Sequence, residues 1–250
     1  MALLDAVALA VDPDNGVRAE ASTLNARFGE LDAAEIIAVA VDELFPGAIA
    51  LVSSFGAESA VLLHLVAEIE RNLPVVFLDT GRLFPETFEY RAQLVDRLGL
   101  TDVRTVAPDP ERLMADDPHR ALWMMKPDLC CHIRKTEPLN RALVGFDAWF
   151  TGRKRFQNSV RAVLPVFEAD GDRIKVNPLV GWSPVDLKEH AVRHDLPAHP
   201  LVAKGYPSIG CVPCTSSVKP GEDPRSGRWR GLEKTECGIH TGNEADGSGI

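Results

Sequence analysis

Short apolar runs alternating with amphipathic segments between residues 48 and 152 restrict the fold of this chain more than any other feature. Ala48-Ile-Ala-Leu-Val-Ser53, Pro74-Val-Val-Phe-Leu-Asp79, Val103 to Val106 and Asp147-Ala-Trp-Phe-Thr151 each read as a strand. Between them, Glu58 to Arg71 and about Pro85 to Leu98 carry apolar residues at helical spacing. Strands separated by helices of this length pair in parallel, with the helices crossing over the sheet faces. The expected fold class is therefore α/β, a doubly wound, mostly parallel sheet. Such sheets bind ligands beyond the carboxyl ends of their strands. Ser53-Ser54, Asp79-Thr80 and Thr151-Gly152-Arg153 stand at three of those ends, pointing at one crevice.

Outside this region, residues 18 to 44 predict two short helices, with Phe28-Gly29 between them and Asp32 capping the second. Past Arg161 the pattern loosens, although Ser183-Pro184-Val-Asp186 has the cap, proline and acid of a helix start. From Leu196 the chain is rich in Pro and Gly, and a mobile tail is expected from about Thr241. The expected organisation is one structural domain in three stretches: an N-terminal helical segment (1–45), an α/β body (46–200), and a C-terminal loop and tail (201–250).

The formal net charge is −9, which argues against a general nucleic-acid binder. Its distribution is uneven: residues 1 to 125 hold 9 Lys and Arg against 21 Asp and Glu, and residues 126 to 250 hold 18 against 15. Positive charge gathers in the half that holds every cysteine. Within it, Arg153-Lys154-Arg155 sets like charges side by side, an arrangement that calls for an anion or an acidic neighbour. No basic stretch precedes the first apolar residues and no apolar run could span a bilayer, so a cytoplasmic address is expected; oligomeric state stays open.

Five cysteines make an odd set: adjacent Cys130-Cys131, then Cys211-Val-Pro-Cys214, then Cys237 in Lys234-Thr-Glu-Cys-Gly-Ile-His240. A disulfide framework needs an even number. Four of the five can close around one metal centre, which leaves Cys237 free to react. Four thiolates suit zinc, and they equally suit an iron–sulfur cluster. Lys234, Arg225, Arg228 and Arg230 lie close to Cys237 in sequence, and cationic neighbours favour the nucleophilic thiolate. Ser53-Ser-Phe-Gly-Ala-Glu-Ser59, between strand and helix, offers backbone N–H groups to a phosphate or sulfate, and Asp79 is placed either to serve a ribose or adenine or to cap its own turn.

Ser-Ser-Phe-Gly-Ala-Glu at 53 to 58, Leu78-Asp-Thr-Gly-Arg-Leu83, Cys130-Cys-His-Ile-Arg-Lys135, Gly210-Cys-Val-Pro-Cys214 and the Cys237 segment together resemble the assimilatory adenylylsulfate reductases, thioredoxin-dependent relatives of the phosphoadenylylsulfate reductases. The resemblance implies an adenine-nucleotide alpha hydrolase type of fold and a [4Fe-4S] cluster on Cys130, Cys131, Cys211 and Cys214, with adenylylsulfate as substrate. It implies that Cys237 attacks the sulfate sulfur and carries an S-sulfocysteine, from which thioredoxin releases sulfite. It further implies a substrate site of Ser53, Ser54, Phe55, Gly56, Asp79, Thr80, Gly81 and Arg82, with Lys135 linking cluster and substrate. Arg155 falls in the arginine loop, and Arg225, Arg228 and His240 hold the sulfate or the closing tail.

Two departures stand out. The arginine loop has Lys154 and Phe156 where a second Arg and a polar residue are commoner, and the phosphate loop lacks the Ser-Gly-Gly-x-Asp-Ser pattern of related ATP pyrophosphatases. The competing readings are phosphoadenylylsulfate reduction and a zinc-stapled nucleotide-binding module without turnover; nucleotide competition separates the first, and protein colour with acid-labile sulfide the second.

Overall fold

The computed structural model describes residues 13 to 240, Glu233 apart. Residues 1 to 12 of the expected N-terminal segment and the tail expected from Thr241 lie outside the described residues. The chain opens with helices α1 (Pro13–Phe28) and α2 (Ala33–Val39), the second started by Asp32 in a capping box with Glu35. Strand β1 (Ile49–Val52), helix α3 (Ser59–Ile69), strand β2 (Val75–Leu78), helix α4 (Pro85–Leu98) and strand β3 (Val103–Val106) follow. Four short helices come next, α5 (Pro110–Asp116), α6 (Leu122–Met125), α7 (Pro127–Cys131) and α8 (Glu137–Ala142). Strands β4 (Ala148–Phe150), β5 (Phe167–Asp170) and β6 (Arg173–Val176) and helix α9 (Pro184–Arg193) complete the body.

The six strands lie in the order β3-β2-β1-β4-β6-β5. All pair in parallel except β5, an edge strand antiparallel to β6. The chain builds outward from β1 through β2 to β3 and then returns to place β4 on the other side of β1. The order reverses between β1 and β4, and in open α/β sheets that reversal opens the ligand crevice.

Side chains alternate across the strands. Ile49, Leu51, Val75, Phe77 and Phe150 enter one core with residues of α1, α2, α3, α4 and α9, whereas Ala50, Val76 and Trp149 enter a smaller one with Leu139 and Leu143 from the α8 side. Helices cover both faces, as the alternation of strands and helices predicts. The hairpin of β5 and β6 lies where the sequence shows no clear period. Charged residues interrupt both strands, Glu168 and Asp170 in β5 and Arg173 and Lys175 in β6, and Lys175 is nonetheless buried, paired with Asp170 at 2.8 Å.

Helices α7 and α8 are joined by a wider π-type turn at His132–Thr136. Pro138, in the first turn of α8, has no N–H to return to the carbonyl four residues back, which explains a bulge at this place. The turn carries Arg134 and Lys135 out of α7 directly after the cysteine pair.

Away from the crevice, α3 and α9 meet through histidines. The His64, His190 and His194 rings lie 4.4 to 5.1 Å apart, and His190 Nε2 is 3.2 Å from His64 Nδ1. Burial pushes His190 down to about 4, reinforced by His194 and His64, and burial lowers His64 as well. The unfolded chain, with histidine near 6.5, therefore binds more protons than the folded one between pH 4 and 6.5. Stability from His190 is full above pH 6.5 and is lost as pH falls toward 4, a change on the order of 3 kcal/mol. Urea unfolding at pH 7.5 and pH 5 is expected to show the loss, and His190→Gln to narrow the difference.

Candidate active site

Between the carboxyl ends of β1 and β4 lies a cavity of about 290 Å³. That is at the lower end of the range that holds small ligands. Its floor is the loop after β1, where Ser53 Oγ accepts from Phe55 N at 3.2 Å and Ser59 Oγ accepts from Gly56 N at 2.8 Å. The serines hold the loop open toward the N-terminus of α3, whose positive end faces the cavity mouth.

Six cations line the cavity, Lys135, Arg153, Lys154, Arg161, Arg225 and Arg228, against the carboxylates Glu58, Asp223 and Glu236. For a chain of net charge −9 this is a local reversal of sign. Three of the cations are neutralised: Lys154 by Glu58 at 2.6 Å, Arg161 by Glu236 at 2.6 Å, and Arg153 by Glu168 from β5. Among the described residues, Lys135 and Arg228 have no carboxylate within ion-pair reach. Arg228 also leaves a buried Nε without an acceptor. Its guanidinium lies where a side chain on residue 210 would be, so a larger residue there would push the guanidinium aside.

Cys237 sits on the wall of this cavity, half-buried, beside those two cations. The Cys131 thiol donates to Cys237 and, with Lys135, the Ile239 amide and Arg228, holds it well below the ordinary thiol range against the cost of burial. The same contact and burial raise Cys131. A metal-bound Cys131 would have no proton to donate, and the cations and the amide would then hold Cys237 down without it.

The tail is seated by neighbours on both sides of the thiol. Glu236 is bound by Arg161, Ile239 packs on the Trp149 cluster, and the His240 ring stacks on Trp149 at 6.1 Å with 9° between planes. Burial and the surrounding cations Arg153, Arg161, Lys175 and Arg225 keep His240 well below its usual value, so it is neutral, and its Nδ1 is buried without a partner among the described residues.

A second, smaller cavity adjoins the first. Cys130, Cys131, Cys211 and Cys214 all line it, together with Arg82, Arg134, Lys135 and Trp229. The first two come from the end of α7. The other two are carried there by a loop zipped onto residues 82 and 83, through Val212 N to Arg82 O at 2.8 Å and the Leu83–Cys211 bridge. Thr80 Oγ1 lies 3.2 Å from Cys211 Sγ. All four cysteines are free thiols, and burial pushes Cys130 and Cys214 up. Among the described residues, no three His, Cys, Asp or Glu side chains converge closely enough to hold a single metal ion. Arg82 and Arg134 each leave a buried Nε without an acceptor beside these thiols. Lys135 borders both cavities and so joins the cysteine quartet to the crevice.

Of the residues expected to contact a substrate, Ser53, Ser54, Gly56, Thr80, Lys135, Arg225, Arg228 and His240 line the large cavity with Cys237. Five do not. Phe55 is fully buried against Phe77. Asp79 accepts from Gly81 N at 2.9 Å, capping its own turn, and neither of those two residues reaches the cavity wall. Arg82 turns to the cysteine cavity and donates to Arg120 O at 2.6 Å. Arg155 donates to Leu164 O at 2.9 Å, outside the cavity, and its neighbours Arg153 and Lys154 face inward instead. Arg161, Glu58 and Glu236 also line the cavity, none of them expected to contact a substrate; Glu58 closes the loop motif at 53 to 58, Glu236 stands next to Cys237, and Arg161 has no local signal.

Residues 48–217 match the family model described as the phosphoadenosine phosphosulfate reductase domain. An adenosine 5'-phosphosulfate reductase of Mesorhizobium japonicum is 56% identical over 229 residues, covering 92% of this chain and 90% of the relative. The enzyme of that name from Mycobacterium tuberculosis is 42% identical over 186 residues, 72% of each chain. Among solved structures, phosphoadenylyl-sulfate (PAPS) reductase from Candida auris, a phosphate complex, superposes with a TM-score of 0.68 at 28% identity, covering 80% of this chain and 97% of that one. A sheet of the same architecture, a crevice at its reversal and a match across most of the sequence agree: the chain belongs to the phosphoadenosine phosphosulfate reductase family.

Proposed function

We propose that this protein reduces adenylylsulfate to sulfite and AMP, with Cys237 as nucleophile and a thioredoxin-type dithiol as reductant, in the assimilation of sulfate. The observation that carries this reading is the placement of Cys237 on the wall of a nucleotide-sized crevice, beside two cations, Lys135 and Arg228, that no carboxylate among the described residues neutralises. The names of the relatives, adenosine 5'-phosphosulfate reductases, support the unphosphorylated nucleotide.

The Cys237 thiolate forms a bond to the sulfate sulfur as the bond from sulfur to the phosphate oxygen breaks, and AMP leaves with that electron pair. Thiolate and sulfate repel each other. Lys135 and Arg228 therefore lower the barrier by holding both anions, acting before reaction without reorganising. His240, kept neutral by burial and by the surrounding cations, adds no positive charge of its own. The S-sulfocysteine is then cleared when one thiolate of the partner attacks Cys237 Sγ, releasing sulfite. The second partner thiol resolves the mixed disulfide, so two electrons pass from dithiol to sulfur.

The cysteine quartet fits a [4Fe-4S] cluster. Four thiols surround a volume rather than a point, and the orphaned Nε groups of Arg82 and Arg134 supply N–H donors suited to sulfide and to the net negative charge of a thiolate-ligated cluster. When bound, the cluster would supply a fixed charge beside Lys135 and a tie between α7 and the 211–214 loop.

Incubation of the anaerobically prepared, reductant-free protein with adenylylsulfate is expected to add one sulfonate, mapped by peptide mass to Cys237 and removed by thioredoxin. Modification only by phosphoadenylylsulfate would reassign the substrate. A colourless protein with stoichiometric zinc and no adduct would sink the reductase reading.

A further inference from the structure

Glu236 directly precedes Cys237 and is only 9% exposed. Its carboxylate is gripped by a fork from Arg161, Nε to Oε1 and Nη2 to Oε2, each at 2.6 Å. Asn158 Nδ2 donates to Oε1 at 2.6 Å, and Arg225 Nη2 stands 3.9 Å from Oε2 while donating to Thr235 O at 3.1 Å. The dock is prepared by its own bonds: Asn158 Oδ1 accepts from Arg161 N at 2.9 Å, and Gln157 Oε1 accepts from Arg161 Nη1. Burial alone would raise the Glu236 carboxyl, but the bonds from Arg161 and Asn158 and the charge of Arg225 hold it below the usual carboxylate range.

The other attachments of the tail are of a different kind. Lys234 pairs with an Asp128 side chain that is 84% exposed, a contact that solvent screens. Ile239 and His240 rest on Trp149 through apolar and stacking contact. Glu236 makes the one buried, bidentate, charge-assisted bond between the tail and the body among the described residues.

We propose that Glu236 is the positioning residue of the nucleophile: docked on Arg161 and Asn158, it holds Cys237 against Lys135 in the closed tail. The inference rests on the reading of Cys237 as the reactive thiol. Removing one member of a buried ion pair leaves the other charge uncompensated, so the dock opens as a unit and the thiol moves with it. Because Arg161 lines the cavity, loss of the carboxylate also leaves an extra positive charge facing the nucleotide.

The test uses nucleotide-free protein with its native cofactor content, in wild-type and Glu236→Gln forms. Each is treated with iodoacetamide and the alkylation of Cys237 is followed by peptide mass, on the pH-independent plateau so that access rather than ionisation is read. Glutamine keeps the shape but not the charged fork, and alkylation is expected to accelerate by roughly tenfold or more. In the same variant, sulfonation by adenylylsulfate is expected to slow while AMP binds as tightly or more tightly, a split that general loosening of the fold would not produce. An unchanged alkylation rate overturns the proposal. Should Glu236→Gln fail to fold, Arg161→Lys, which keeps the charge and loses the fork, decides on the same readout: acceleration supports the dock, no change overturns it. Alkylation involves no nucleotide, so absence of sulfonation in the wild-type protein would defeat the reductase reading without deciding the role of Glu236.

Discussion

Cys237→Ser is expected to lower sulfite formation by on the order of 10⁴-fold or more, about 5.5 kcal/mol of barrier, because no other thiol stands on the wall of the crevice beside free cations except Cys211, one of the quartet. A serine hydroxyl is a far weaker nucleophile near neutral pH, and the sulfate ester it would form has an oxygen in place of the Sγ that the reductant must attack, with no S–S bond to exchange. Binding of AMP is expected to persist, since the β1 loop and the cations of the cavity are untouched. Sulfite release and intact mass, measured with nucleotide affinity on the same preparation, check the expectation. Residual turnover within about tenfold of wild type would place the chemistry elsewhere.

Lys135→Gln is expected to slow formation of the Cys237 adduct by roughly 10²- to 10³-fold, the scale seen when one preorganised charge contact is removed from a reacting anion. Lys135 borders both the crevice and the cysteine cavity and lies next to Cys237, so one side chain serves the thiolate, the incoming sulfate and the quartet. The sign of the pH effect follows from the same geometry. In the wild-type protein Cys237 is held well below the ordinary thiol range, so adduct formation should be level through neutral pH. Without Lys135 the thiol rises, and the rate should climb with pH toward a later plateau. Lys135→Arg keeps the charge and should recover part of the loss. Equal rates and equal pH profiles in wild type and Lys135→Gln would remove Lys135 from the mechanism; a metal and sulfide assay on each variant keeps loss of the quartet's cofactor from being mistaken for either result.

Much of the fold could be read directly. The strands at 48–53, 74–79 and 147–151 were expected to within a residue or so at each end, and Val103–Val106, Pro85–Leu98 and the Ser183 cap were expected as observed. The strands at 48–53, 74–79 and 147–151 are legible because each buries a continuous apolar run, and Pro85–Leu98 because its buried residues recur at helical period. The β5–β6 hairpin and the helices from α5 to α8 were not, being short and interrupted by charged residues that find partners only in the folded chain, such as Lys175 with Asp170 and Arg134 with Asp117.

The same division runs through the site. Cysteine chemistry is carried by residue type, so the quartet and the lone Cys237 could be separated by count and spacing, and the structure brings the four to one cavity. Charge is different: any of three adjacent cations at 153 to 155 could face an anion. Extended backbone at Lys154, with ψ 149, followed by a tight turn over Arg155–Gln157, sends Arg153 and Lys154 inward and Arg155 out to Leu164. The docking of Glu236 on Arg161 spans 75 residues. By itself the sequence determined the α/β architecture and the crevice at the strand ends, and it set Cys237 apart from the other four cysteines by spacing, because periodicity and residue chemistry are local properties. Which cations stay free beside Cys237, which are neutralised, and how the tail is held were decided only by tertiary structure, because an ion pair depends on distance through space, and neighbours along the chain do not report it.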